Sequence, residues 1–147
     1  MYSFSPRSIG ELNTCHPRLR MLFNEVIKHY DCSALKGFRD EQEQRMAFAS
    51  KRSKVDWPNS KHNLIPSVAA DVVPYPVVWT GEEAVRKFYH FAGYVQATAE
   101  RMGVRVRWGG NWDGDKYDFA DQNFYDLPHW ELLPEEYENG NDKENPE

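Results

Sequence analysis

Two histidines and a small set of carboxylates carry the chemistry open to this sequence. His62 stands in Ser60-Lys61-His62, Asp71 follows nine positions later, and a second group reads Asp126-Leu127-Pro128-His129-Trp130-Glu131. Catalytic zinc takes three protein ligands from His, Asp or Glu and keeps a fourth position for water, whose pKa falls to about 7. A set of His62, Asp71 and His129 meets that count. Asp126, three residues before the last histidine, can stand beside such a water, take its proton and pass it to a leaving amine. Taken singly, a histidine is more often a surface group or a satisfied core residue than a ligand. The spacing is not the short helical His-Glu-x-x-His pattern either, so residue types and spacing alone leave metal binding open.

Further acidic and aromatic residues surround this set. Asp113, Asp115, Asp118 and Asp121 crowd one short stretch, and hard cations such as calcium favour oxygen-rich sites. The order Asp-Gly-Asp-Lys-Tyr-Asp is not an EF-hand, and a solvated acidic loop is the simpler reading beside calcium binding. Trp108, Trp112 and Trp130 can line a substrate groove, although tryptophans of a small domain are more often core. Core is expected for Trp108, whereas Trp130, beside a candidate ligand, can serve both purposes.

These residues need a scaffold, and the apolar periodicity describes one. Helical spacing covers Ser8 to Leu12 and then Pro17 to Tyr30, with Leu19, Leu22, Phe23, Val26, Ile27 and Tyr30 facing a core. Asp31 to Gly37 reads as a turn or short strand, Asp40 to Ser50 as a more polar helix, and Lys51 to Pro66 as a loop. Val68 to Val73 suits a buried strand that carries Asp71 inward, and a buried carboxylate needs a partner. Thr80-Gly81-Glu82-Glu83 starts a helix that runs to about Met102, with Gly103 as its stop. Val104 to Trp108 and Trp130 to Leu133 complete the strands, and Pro134 to Glu147 reads as an acidic, disordered tail. Helices and strands mixed in this order suggest an α+β fold, a single domain over 1–133.

Bulk properties narrow the class. A chain of 147 residues, 40% hydrophobic with five tryptophans, has the material for one packed core. Its net charge of −5 and scattered basic residues give no footprint for nucleic acid or an anionic membrane. Cys15 and Cys32 are too few for a disulfide scaffold and are expected to stay reduced, and a monomer is expected. No export signal or membrane-spanning run is visible.

One family draws these features together. Ser60-Lys61-His62-Asn63, Pro66-Ser67, Ala69 and Asp71-Val72-Val73-Pro74-Tyr75-Pro76 resemble the first metal motif of phage-type L-alanyl-D-glutamate peptidases, relatives of the D-alanyl-D-alanine carboxypeptidases. Four other segments agree in order and kind: Phe4-Ser5-x-x-Ser8 with His16-Pro17, Gly37-Phe38-Arg39 with Gln44, Arg107-Trp108-Gly109-Gly110-Asn111-Trp112, and Asp126-x-Pro128-His129. The resemblance covers roughly residues 4 to 133. The step from His62 to Asp71 is longer than in many members of the wider family and is the form seen in phage enzymes.

The resemblance implies a Hedgehog/DD-peptidase-like fold, a small antiparallel sheet with flanking helices. It implies zinc on His62, Asp71 and His129, Asp126 as catalytic base, and Arg39 on the substrate carbonyl or oxyanion, with a structural salt bridge as the alternative for Arg39. Ser60 would orient the loop bearing His62, or simply stabilise a turn. The expected substrate is the peptide stem of peptidoglycan, cut between L-alanine and D-glutamate by an endolysin. Such an enzyme accumulates in the host cytoplasm and reaches the wall once another protein opens the membrane. The competing readings are D-alanyl-D-alanine or cross-link cleavage, a zinc-stabilised wall-binding module, and a purely structural zinc domain. The last usually needs four closed ligands, often cysteines.

Overall fold

The first three helices begin where a side chain caps the first turn. The computed structural model describes residues 1–114 and 125–138. Helix α1, Pro6–Leu12, starts on a proline and is capped by Ser5, whose Oγ accepts from the Ser8 amide at 3.2 Å. Helix α2, Pro17–Val26, repeats the device with His16 Nδ1 accepting from the Arg18 amide at 3.1 Å. It buries Leu19, Leu22, Phe23 and Val26, and full burial of each such side chain stabilises by about 1.5–3 kcal/mol. The expected helix to Tyr30 stops at Val26, because the amides of Lys28 and His29 bond three residues back to Glu25 and Val26 in tighter turns.

Helix α3, Glu41–Ala49, opens on a reciprocal capping box between Asp40 and Glu43. Helix α4, Gly81–Met102, ends at Gly103, whose left-handed φ of 71° is open to glycine without strain. No helix among the described residues is long and apolar enough to cross a membrane.

Four strands form one antiparallel sheet in the order β1-β2-β4-β3: β1 Cys32–Lys36, β2 Ala69–Pro74, β3 Val106–Trp108 and β4 His129–Leu132. Alternation along β2 and β4 divides their side chains between two faces. Ala70, Val72, Trp130 and Leu132 join α2 and α4 in the core, with Phe23 edge-on to Trp130. Asp71, His129 and Glu131 occupy the opposite face. The register sets Asp71 directly across from His129 and Ala69 across from Glu131. Trp108 and Trp130 stack within the core at 5.9 Å, so neither is a groove residue.

Residues just after Leu133 also contact the domain. Pro134–Glu136 form a 3₁₀ turn; Glu136 is buried and accepts from Arg18 Nε at 3.1 Å, and Tyr137 packs against the core. The rest of the expected tail, from residue 139, lies outside the described residues. Cys15 and Cys32 are free and buried, and burial pushes both thiols up to about 12, which keeps them protonated and unreactive.

Candidate metal centre

The stretch expected as an irregular loop contains an ordered turn where it matters. Lys61–Asn63 form a 3₁₀ turn capped by Ser60, whose Oγ accepts from the His62 amide at 3.1 Å, while Asn63 Oδ1 accepts from the Ser60 amide at 2.9 Å. Ser60 thereby fixes the backbone that carries His62. The His62 ring is buried with Nδ1 2.7 Å from the Gly37 carbonyl oxygen. A carbonyl only accepts, so Nδ1 carries the proton and the Nε2 lone pair is left to face Asp71. Gly37 itself cannot carry a side chain: a Cβ there would lie 2.3 Å from the Glu11 carbonyl oxygen.

His62, Asp71 and His129 converge from this turn and two adjacent strands. Asp71 Oδ1 lies 3.3 Å from His62 Nε2 and 3.6 Å from His129 Nδ1. The other nitrogen of His129, Nε2, sits 2.8 Å from Glu131 Oε1. Glu131 is buried, and although burial opposes its charge, the His129 hydrogen bond holds its pKa below the usual carboxylate range. Each imidazole is therefore oriented by an outer partner and turned so that its remaining nitrogen points at Asp71, as histidine ligands of metals are.

A cation fits this arrangement. Buried His62 Nε2 and Asp71 Oδ1 have no hydrogen-bond partner, and an unsatisfied buried polar atom costs about 1–3 kcal/mol. Among the described residues, His62, Asp71 and His129 form the one group whose donor atoms, all within 4.8 Å of one another, can hold a metal ion. The metal-free electrostatics agree. Burial alone would raise Asp71, yet the two histidines hold it well below the carboxylate range. Burial alone would lower His129, yet the Asp71 carboxylate beside it and its hydrogen bond to Glu131 raise it to about 10.

Asp126 and Arg39 flank the triad. Asp126 Oδ2 is 3.9 Å from His129 Nδ1, close enough to share the ligand space without occupying the triad. Its position depends on Gly109, which accepts from the Asp126 amide at 3.0 Å and donates to the His129 carbonyl at 2.8 Å. A Cβ on Gly109 would fall 2.0 Å from the Asp126 carbonyl oxygen. Burial, and then the negative charge of Asp71, raise the Asp126 pKa, which suits a group that must take up a proton.

Arg39 Nη2 lies 3.5 Å from Asp71 Oδ2, and Nη1 donates to Gln44 Oε1 at 2.9 Å. Gln44 is fully buried and also accepts from Asn63 Nδ2 at 3.2 Å, so one amide steadies both Arg39 and the turn bearing His62. A cleft of about 350 Å³ opens over these groups, with Arg39, His62, Asp126 and His129 in its lining. Trp112 also lines it, with its ring 5.5 Å from that of His129.

Sequence reasoning assigned no role to Glu131 and Gln44. The signal for Glu131 was available: two positions after His129 on a strand means the same face. Gln44 entered only as one residue of a family-like segment on a polar helix, with no role attached. Asp113 is exposed, and Asp115, Asp118 and Asp121 of the expected calcium loop lie outside the described residues.

Comparison with known proteins follows the same lines. A family model described as phage L-alanyl-D-glutamate peptidase matches residues 1–133. The crystal structure of the Serratia marcescens L-Ala D-Glu endopeptidase ChiX superposes with a TM-score of 0.69 at 26% sequence identity, covering 92% of this chain and 93% of that one. No curated protein sequence matches the chain.

Proposed function

The chain belongs to the phage L-alanyl-D-glutamate peptidase family, and from that premise we propose that it is a zinc enzyme cutting the L-alanyl-D-glutamate bond in the peptide stem of peptidoglycan. One observation carries the reading: His62 Nε2, Asp71 Oδ1 and His129 Nδ1 converge beside Asp126 in a single cleft. Two imidazole nitrogens and one carboxylate oxygen suit zinc, and three protein donors leave room for a reacting group.

His62, Asp71 and His129 would hold the ion, which when bound supplies Lewis-acid activation of a water and of the scissile carbonyl. Asp126 accepts the proton of the attacking water, and its raised pKa keeps that proton available for the departing D-glutamate amine. Arg39 offers fixed N–H donors to the carbonyl oxygen as charge collects on it. Gln44 holds the guanidinium before substrate arrives, so little reorganisation is needed during the reaction. The presence of both Asp126 and Arg39 in the cleft favours a catalyst over a wall-binding module. Host lysis is the setting, the enzyme reaching the wall after another protein opens the membrane; it acts as a monomer.

The test is digestion of purified peptidoglycan with and without chelator, the new termini being identified by mass spectrometry. New D-glutamate amino termini that vanish with chelator are expected. Released D-alanine in their place would transfer the chain to carboxypeptidase chemistry.

A further inference from the structure

The cleft is lined unevenly in charge. Besides Arg39, its lining includes Arg52, Lys54 and Lys61, against the carboxylates of Asp126 and Glu131. Glu131 is bonded to His129, with Lys61 adding to the charge that lowers its pKa, and Asp126 stands beside the metal triad, so the cations lining the cleft outnumber its two carboxylates. Arg52 is exposed, its Nε donates to Ser50 Oγ at 2.9 Å, and it has no carboxylate partner among the described residues. Lys61 directly precedes the ligand His62 and lies over the Tyr137 ring at 5.9 Å.

The wall formed by residues 52–61 is held in place. Gln44 Nε2 donates to Ser53 Oγ at 3.0 Å and to the Val55 carbonyl at 2.7 Å, while its Oε1 holds Arg39. The basic wall and the catalytic arginine thus share one buried anchor. A cationic surface in the same cleft as the reacting groups favours a substrate anion near the scissile bond.

Resting on the reading above, we propose that Arg52 and Lys54, with Lys61, form a carboxylate site that recognises the free carboxylate of the substrate's D-glutamate. A glutamate bonded to alanine through its amino group retains two carboxyl groups, and the onward peptide consumes at most one. The other is an anion close to the bond being cut, unless it is amidated. The enzyme therefore discriminates between D-glutamate and its carboxamide form, which specifies the wall chemistry it acts on.

Two synthetic peptides test this, both acetyl-L-alanyl-D-glutamate extended through the side-chain carboxyl, one with the remaining carboxyl free and one with it as carboxamide. The zinc-loaded protein should favour the carboxylate by on the order of tenfold or more in kcat/KM, mostly through KM, as expected for a charge-assisted contact. In Arg52→Gln/Lys54→Gln that ratio should fall towards one; both residues are exposed, so the substitutions spare the core. Equal cleavage of the two peptides by the wild type overturns the carboxylate site and leaves the peptidase reading intact. A preference that survives unchanged in the double variant also overturns it. Cleavage of neither peptide by protein with bound zinc counts against both.

Discussion

Glu131 Oε1 lies 2.8 Å from His129 Nε2, two residues along the same strand, and this contact leaves Nδ1 as the nitrogen of His129 that faces Asp71. Because β4 is extended, positions 129 and 131 share a face, and the pairing with β2 sets Asp71 opposite His129 on that face. The strand register therefore delivers two of the three candidate ligands together with the carboxylate that orients one of them.

Glu131→Ala should weaken zinc binding about 10- to 100-fold, the usual cost of losing an outer partner of a histidine ligand. Glu131→Gln keeps an acceptor and should recover part of the loss. Chelator competition would measure both, and unchanged affinity in the alanine variant would deny Glu131 its orienting role.

Asp126→Ala and His129→Ala should fail differently. The first removes a proton acceptor, so kcat should fall by about 10²–10⁴ with one zinc still bound. The second removes a ligand, so the metal itself should be lost. Metal analysis alongside kinetics separates them; loss of zinc from Asp126→Ala would make that residue a ligand.

Metal binding should release a proton. Without metal, both His129 nitrogens face carboxylates, and the ring's pKa stands at about 10. The Nδ1 proton must leave before that atom can ligate, so affinity should rise roughly tenfold per pH unit through neutrality and level off above about 10. The same upward shift stabilises the metal-free fold fully below the unfolded value of 6.5, and that contribution is lost as pH rises through about 10. Calorimetry in buffers of different ionisation enthalpy should report about one proton released per zinc at pH 7. A heat independent of buffer would contradict this.

Gly109→Ala should damage the site from outside it. The added methyl meets the Asp126 carbonyl oxygen at 2.0 Å, so the backbone joining Asp126 to His129 must shift. A stability loss of about 1–3 kcal/mol is expected, together with a fall in kcat larger than the change in KM. Wild-type kinetics in a folded Gly109→Ala protein would show that this close approach does not position Asp126.

The sequence was most legible where chemistry and local propensity coincide. Apolar spacing located α1 and α2 within a few residues, Thr80-Gly81-Glu82-Glu83 and Gly103 bounded α4, and the family motif singled out His62, Asp71 and His129, which the fold brings together. The less legible features were set by tertiary contact. The turn at Lys61–Asn63 sits in a polar, proline-flanked stretch with no periodicity, and its contacts with Gly37 and Arg39 add to the Ser60–Asn63 capping box in ordering it. Gln44 looks like any polar helix residue until four partners converge on it. Glu136 falls in an acidic segment that reads as solvated, and its burial depends on Arg18, far away in sequence.

Titration of chelator-treated protein with zinc, followed by hydrolysis of a synthetic L-alanyl-D-glutamate stem peptide, bears most directly on the metal centre. Activity should rise in proportion to bound zinc and stop at one equivalent, while Asp126→Ala binds the same equivalent and stays inactive. Full activity before zinc is added, or hydrolysis by zinc-loaded Asp126→Ala at the wild-type rate, would contradict the assignment of His62, Asp71, His129 and Asp126 to a single catalytic centre.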